Sequence, residues 1–343
     1  MSEKGQGRYF MQSLRSAKVP TMINQATKQP TAPHLASTRQ RGFDLQGHRG
    51  ARGVLPENTL PAFEYAVQVG VTTLELDVGI SSDGVVVISH DRALNPDITR
   101  DAQGQWLTAP LLVNQLSFAA LQGFDVGRIN PASAYAQRFP EQRPIDGTRM
   151  PALSALFERM QALGENQVHF NIETKISPEH PHDTVSPEEF VERLLAVVDS
   201  YNLQHRVIVQ SFDWRTLAAV QQRAPKVRTS YLTAQQAWSD TITIKNPDSP
   251  RWTGIHRYED HSDVPSMVHA AGGTIWSPYF GDVSADLVAR SYSLGLLVVP
   301  WTININKDYE SVIMLKVDGL ITDYPDRAKR YLAQPSSYLA LLR

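Results

Sequence analysis

Short runs of β-branched and aliphatic residues recur along the chain, and between most of them lie segments whose apolar positions repeat at helical spacing. The runs predict strands at residues 43–47, 73–80, 168–173, 207–211, 228–232, 274–277, 296–301 and 319–322. Amphipathic periodicity predicts helices at 59–69, 153–163, 187–201, 214–223, 285–293 and 309–316. Strand–helix alternation of this kind argues for βαβ units and a parallel sheet.

One further apolar run, 85–89, follows Ile80 after only Ser81-Ser82-Asp83-Gly84. A parallel crossover needs about a dozen residues, so this connection is a hairpin, and Asp-Gly is a favoured turn pair for one. With that run set aside as an antiparallel arm, eight parallel strands remain. The expected fold is an α/β (β/α)8 TIM barrel with a hairpin extension and a long insertion after the second strand. Its chemistry would sit at the C-terminal ends of the strands.

Two stretches lack a clear period. Residues 92–150 hold Pro96, Pro110, Pro131, Pro140 and Pro144 and read as an insertion over the barrel mouth. Residues 234–270, with Pro247, Pro250, Trp252 and Pro265, read as a second irregular excursion. The barrel is expected over 43–332, with residues 333–343 as a C-terminal tail.

Bulk composition narrows the function classes. Of 343 residues, 42% are apolar and 20% charged, as in an ordinary globular protein, and a net charge of −2 gives no argument for nucleic acid or a membrane surface. There is no Cys, which excludes disulfides, thiolate metal sites and a Cys nucleophile. No apolar run is long enough to span a membrane. Residues 1–42 stand apart: Lys4, Arg8, Arg15, Lys18, Lys28, Arg39 and Arg41 face one acid, Glu3. That is a net of about +6, leaving the remainder near −8. The stretch has no apolar signal region and only a faint transit-peptide character, so it is read as a disordered leader or an added extension. As written the chain is expected in the cytoplasm. The sequence sets no oligomeric state.

The chemistry concentrates at predicted strand ends. Glu75 and Asp77 lie two apart in Thr-Leu-Glu-Leu-Asp-Val and so share one face of a strand. Paired inward carboxylates repel each other unless a hard cation or a basic side chain compensates. The other arrangement, with Leu74 and Leu76 inside, would bury the carboxylates beneath the outer helices. Glu173 ends another strand and could complete an oxygen cage. Lys175, two residues on, offers a point charge for a phosphate oxygen, although the pair reads equally well as a rim salt bridge. His48 and His90 end the first strand and the hairpin arm. Either alone is usually structural; together beside an acidic site they suit the two proton transfers of phosphodiester cleavage. Asp91 is a candidate to orient His90, against the tendency of neighbours in extended chain to point apart. Arg49 has the planar fork that suits two phosphate oxygens, and Gly47 and Gly50 allow close backbone approach to a ligand. Asn58 or Thr59 would cap the helix that follows, or Glu57 and Asn58 would face the site. Trp276 and Trp301 are candidates for an apolar wall, with aromatic core packing the alternative, an equal one for Trp276. No P-loop, Gly-x-Ser-x-Gly elbow or His-Glu-x-x-His occurs.

Taken in order, His48-Arg49-Gly50, Pro56-Glu57-Asn58-Thr59, Glu75-Leu76-Asp77-Val78, Asp83-Gly84, His90-Asp91, Ile172-Glu173-x-Lys175, Gln210-Ser211-Phe212, Trp301-Thr302 and Ile321-Thr322-Asp323 resemble the glycerophosphodiester phosphodiesterase family over roughly residues 43–332. The resemblance implies hydrolysis of a small-molecule glycerophosphodiester to an alcohol and glycerol 3-phosphate with one divalent cation, Ca2+ or Mg2+. It implies metal ligands at Glu75, Asp77 and Glu173, acid/base roles for His48 and His90, and phosphate contacts at Arg49 and Lys175. Asn58, Gln210 and Trp301 complete the expected substrate-binding set. Similar proteins with this long insertion look exported, which makes the periplasm or exterior the alternative location. Two other functions stay open: a lysophospholipase D-like enzyme on lipid-bearing substrates, and a barrel that only binds phosphorylated ligands. The polar, Pro-rich insertion favours water-soluble substrates over lipid.

Overall fold

The computed structural model describes residues 42–242 and 251–334. The expectations for residues 1–41, and for the tail beyond residue 334, lie outside the described residues. In chain order, β1 (Asp44–Gly47) and β2 (Thr73–Ile80) open the sheet, and β3 (Val86–Ile88) runs back beside β2. β4 (Ala93–Leu94) and β5 (Leu111–Leu112) form a small hairpin. β6 (His169–Thr174), β7 (Val207–Ser211) and β8 (Arg228–Thr233) continue the main sheet. A second hairpin, β9 (Gln235–Gln236) and β10 (Ser239–Asp240), precedes β11 (Ile275–Pro278), β12 (Leu297–Val298) and β13 (Gly319–Thr322).

The parallel strands run in the order β12-β11-β8-β7-β6-β2-β1-β13. The two ends of that order nearly close, because Asp318 N donates to Val298 O at 2.9 Å and Ile321 N to Pro300 O at 2.9 Å. The result is a (β/α)8 barrel. The hairpin arm is antiparallel as the spacing predicts, with Val78 opposite Ile88 and Ile80 opposite Val86. The seventh barrel strand is shorter than its apolar run. Pro300 has no N–H to offer the ladder, so only Leu297–Val298 forms regular strand.

Alternation along β2 builds two environments at once. Leu74, Leu76 and Val78 face outward into a core shared with Phe63, Phe157 and Phe170, whose last two rings meet edge to face at 4.9 Å. Burying each such side chain stabilises the fold by about 1.5–3 kcal/mol. Glu75 and Asp77 face inward. The helices that supply the outer layer carry their own boundary signals. Ser186 accepts from Glu189 N, with Pro187 opening the helix Pro187–Ser200 and Glu188 and Glu189 in its first turn.

The described residues of the excursion at 234–270 form more regular structure than their sequence suggests. It contains β9, β10 and the helix Val264–Ala270, which Asp263 caps by accepting from Ser266 N. Seven helical residues are too few to display a period. Residues 92–150 hold the β4–β5 hairpin and the helices Phe118–Leu121 and Ala134–Arg138, and their Leu94, Val113, Leu121 and Met150 form a small core with Val87 of β3.

Candidate active site

At the C-terminal end of β1 the chain turns sharply. Gly50 has φ 83°, and a Cβ there would lie 2.8 Å from the Ala62 carbonyl carbon. The backbone thus approaches the following helix closely here. Arg49 and Asn58 both sit in the left-handed region, at φ 50° and 55°, and Asn58 N donates to Arg49 O at 3.0 Å. Left-handed backbone is costly for Arg, by about 1–3 kcal/mol, and persists where surrounding bonds over-determine it. Here Arg49 N donates to Glu75 Oε2 at 2.8 Å, and Asn58 Nδ2 donates to Asp77 Oδ2 at 2.9 Å. Both readings of this loop hold, since Thr59 caps the helix Leu60–Val69 while Asn58 faces the carboxylates.

Glu75, Asp77 and Glu173 place one oxygen each within 4.8 Å of one another, all buried. β2 and β6 set this directly, since Asp77 pairs with Glu173 in the sheet register. A chain of amides supports the group from below. Asn171 Nδ2 donates to Gln46 Oε1 at 2.8 Å and to Gln210 Oε1 at 2.9 Å, and Gln210 Nε2 donates to Glu75 Oε1 at 2.7 Å. Gln210 therefore lines the cleft but commits its amide to Glu75.

The electrostatics are those of crowded like charges. Burial, then Asp77 and Glu173, push the Glu75 carboxyl well above the ordinary carboxylate range. Burial raises Glu173 to about 7 against the pull of Lys175, whose Nζ lies 2.7 Å from Glu173 Oε1. Asp77 is held the other way: burial would raise it, but His90, Lys175 and Arg49 together keep it well below its usual value. Asp77 Oδ1 is buried and has no hydrogen-bond partner.

Two imidazoles flank the group. His48 Nδ1 lies 2.7 Å from Asp323 Oδ1, and its Nε2 lies 3.8 Å from Glu75 Oε2. Burial first, then Arg52, lower His48 to about 4 against the opposing effect of Asp323. His90 Nδ1 lies 2.7 Å from Asp91 Oδ1, so these sequence neighbours do meet, and Asn95 Nδ2 holds the second Asp91 oxygen at 3.0 Å. Burial, Arg49 and Lys175 lower His90 as well.

His48, Arg49, Glu75, His90, Glu173 and Lys175 line one cleft of about 490 Å³ at the barrel mouth. Its far side is aromatic. Trp301 packs edge to face on Phe212 at 5.4 Å and on Tyr279 at 5.6 Å, and Trp238 meets Tyr279 at 5.3 Å. Trp301, expected here, is in place and donates its indole N–H to Ser277 O at 3.0 Å. Trp276 is not. It lies on the helix-facing side of β11, opposite Tyr231 in register, and is core. The inward neighbour Ile275 packs instead with Ile208, Val299 and Ile321.

Sequence reasoning left several contributors without a role. Asp323 was visible as a strand-end acid, but its partners Arg52 and Asn304 were not. Arg52 binds it with Nε and Nη2 at 2.7 and 3.0 Å, and Asn304 Nδ2 donates at 2.7 Å. Tyr135, Arg138 and Phe139 come from the aperiodic stretch. Tyr135 donates to Glu57 Oε2, while Glu57 Oε1 takes Arg49 Nη1 at 2.5 Å.

Imidazoles, carboxylates and basic side chains gathered on one rim of a (β/α)8 barrel define a hydrolase of the phosphodiesterase class. Residues 48–327 match the model of the glycerophosphoryl diester phosphodiesterase family, and the chain belongs to that family. A glycerophosphodiester phosphodiesterase of Caldanaerobacter subterraneus is 27% identical over 279 residues, which is 81% of this chain and 93% of that one. A Silicibacter pomeroyi crystal structure, assigned as a glycerophosphoryl diester phosphodiesterase, superposes with a TM-score of 0.76 at 36% identity, covering 85% of this chain and 93% of that one. A phosphodiesterase from Oleispira antarctica, solved with the product sn-glycerol-3-phosphate, shares the fold at a TM-score of 0.63 and 19% identity, over 87% of this chain and 99% of that one.

Proposed function

We propose that the protein hydrolyses glycerophosphodiesters to an alcohol and sn-glycerol 3-phosphate with the help of one divalent cation. The observation that carries the metal is the Glu75, Asp77, Glu173 cluster. Three buried carboxylates within 4.8 Å, one with an oxygen that accepts no hydrogen bond, form the oxygen-only donor set that a hard cation satisfies. Ca2+ and Mg2+ both suit such ligands. When bound, the cation would neutralise the phosphate and acidify the attacking oxygen.

The rest of the chemistry belongs to the chain. Asp323 and Asp91 each face the Nδ1 of a histidine and leave its Nε2 free for chemistry, and the His48 Nε2 lies 3.8 Å from Glu75 Oε2. Burial and neighbouring cations lower the pKa of both imidazoles, and one in its neutral form is suited to accept the proton of the attacking oxygen. The other, once protonated, delivers a proton to the leaving alkoxide. Arg49 and Lys175 supply positive charge beside the cluster, where the equatorial phosphate oxygens would lie. Asn58 and Gln210 hold Asp77 and Glu75 in place, and Trp301 walls the substrate cleft. The attacker is water, or the substrate's own glycerol hydroxyl by way of a cyclic phosphate. An analogue lacking that hydroxyl separates the two, since normal turnover of it excludes the cyclic route.

The direct test is release of sn-glycerol 3-phosphate from glycerophosphoethanolamine. We expect turnover with Ca2+ or Mg2+, loss in EDTA, and recovery on adding the ion back. Full activity in EDTA would overturn the metal assignment. A second reading, a lipid-bearing substrate, is favoured by Trp238, which is 62% exposed beside the aromatic wall. Co-sedimentation with liposomes would support it.

A further inference from the structure

The charged residues of the cleft are paired with one exception. Arg49 binds Glu57, Arg52 binds Asp323, and Lys175 binds Glu173. Arg138 also lines the cleft, at the end of the helix Ala134–Arg138, and is exposed there. No carboxylate among the described residues pairs with it.

The helix that carries Arg138 is fixed to the catalytic rim. Tyr135 donates to the buried Glu57, and Phe139 is buried under the Arg52 guanidinium, 4.6 Å from its ring centre. The Arg138 guanidinium itself rests 5.6 Å from the ring centres of both Tyr135 and Phe139. These contacts preorganise the side chain without neutralising it. Across the cleft the aromatic wall offers no charge. The remaining carboxylates are committed to basic side chains, histidine or the proposed cation. A cationic head group thus finds no free carboxylate here, and an anionic one finds a free guanidinium whose planar fork matches a carboxylate.

We infer that Arg138 is a specificity-determining residue that selects glycerophosphodiesters whose alcohol carries a negative charge. The inference rests on the proposed phosphodiesterase reading and names the substrate class for that site. It separates Arg138 from Arg49 and Lys175, which sit beside the carboxylate cluster and would serve every substrate alike.

Glycerophosphoserine and glycerophosphoethanolamine differ by one carboxylate, so their ratio of kcat/KM isolates the effect. The wild-type enzyme should favour glycerophosphoserine. Arg138→Gln should lower the ratio about tenfold, as expected for loss of one charge-assisted pair worth about 1.4 kcal/mol. Arg138→Lys should restore part of it, and Arg138→Glu should invert the preference. If the wild type turns over neither substrate, the phosphodiesterase reading fails. If it turns over both and Arg138→Gln leaves the ratio unchanged, this inference fails and that reading stands. An equal loss on both substrates would assign Arg138 to the phosphodiester instead and likewise overturn it.

Discussion

The His48 Nδ1 atom lies 2.7 Å from Asp323 Oδ1, so the end of the first barrel strand is tied to the end of the last across 275 positions of sequence. The bond orients the imidazole and leaves its Nε2 toward Glu75. Asp323 works against burial and Arg52, which otherwise depress His48 further. Asp323→Asn should therefore lower kcat by about 10³–10⁴-fold, as misorienting a histidine base does elsewhere, with little change in KM. If His48 is the base, the acidic limb of the kcat/KM profile should also move to lower pH, because a group that raises the His48 pKa is gone. The same change strands the buried Arg52, so a loss of about 3–5 kcal/mol in stability should accompany it. An unchanged kcat would remove Asp323 from the mechanism.

The roles of the two histidines separate by leaving group. His48→Ala and His90→Ala should each lower turnover of a glycerophosphodiester by about 10²–10⁴-fold. With a p-nitrophenyl leaving group no proton need be delivered, so the variant lacking the general acid should recover most of its activity and the variant lacking the base should not. Recovery of both, or of neither, would sink the division of labour. Metal retention, read as a melting shift with Ca2+, distinguishes a chemical loss from a collapsed site.

The barrel was legible because its signals are local. Three of the eight expected strands, 73–80, 207–211 and 319–322, coincide with the observed ones. The hairpin followed from a four-residue connection that admits no crossover. Glu75 and Asp77 were legible for the same reason, since alternation along one strand decides which face each takes. The remainder depends on contacts between distant parts of the chain. Nothing in the sequence near Arg52 says that it binds Asp323, and nothing near Tyr135 says that it reaches Glu57. Trp276 and Trp301 show the limit at single-residue scale. Both lie near strand ends, but a one-residue difference in phase sends Trp276 into the helix-facing core and leaves Trp301 at the mouth.

The carboxylate cluster should make stability depend on the cation. Folding raises the Glu75 pKa, through burial first and then Asp77 and Glu173. A carboxyl raised in this way binds protons more tightly folded than unfolded, so its contribution to stability falls as pH rises past the ordinary carboxylate value. In EDTA at pH 8, Glu75→Gln should melt above the wild type, and the gap should close as pH approaches about 4.5. Saturating Ca2+ or Mg2+ should reverse the order. At 100 times the dissociation constant the wild type gains about 2.7 kcal/mol and the variant does not. Calorimetry in EDTA and in excess cation measures both. A wild-type melting temperature indifferent to divalent ions would remove the metal from this site.

Tyr135 and Arg138 lie three apart on one short helix yet should fail in different ways when substituted. Tyr135 donates to Glu57, and Glu57 holds the Arg49 guanidinium at 2.5 Å. Burial alone would raise Glu57, but Arg49, Arg52, His90 and the Tyr135 hydroxyl together keep it below its usual value and therefore charged. Tyr135→Phe keeps the ring that packs on Phe139 at 5.1 Å but deletes the donor, leaving a buried carboxylate oxygen one bond short. That loss should destabilise the protein by about 1–3 kcal/mol and loosen Arg49. Because Arg49 would contact the phosphate of every substrate, kcat/KM should fall about tenfold for glycerophosphoserine and glycerophosphoethanolamine alike, with their ratio preserved. A shifted ratio in Tyr135→Phe would mean that the helix has moved and that Arg138 has moved with it. A preserved ratio here, beside a collapsed one in Arg138→Gln, would divide the helix into a residue that positions the phosphate site and a residue that reads the alcohol.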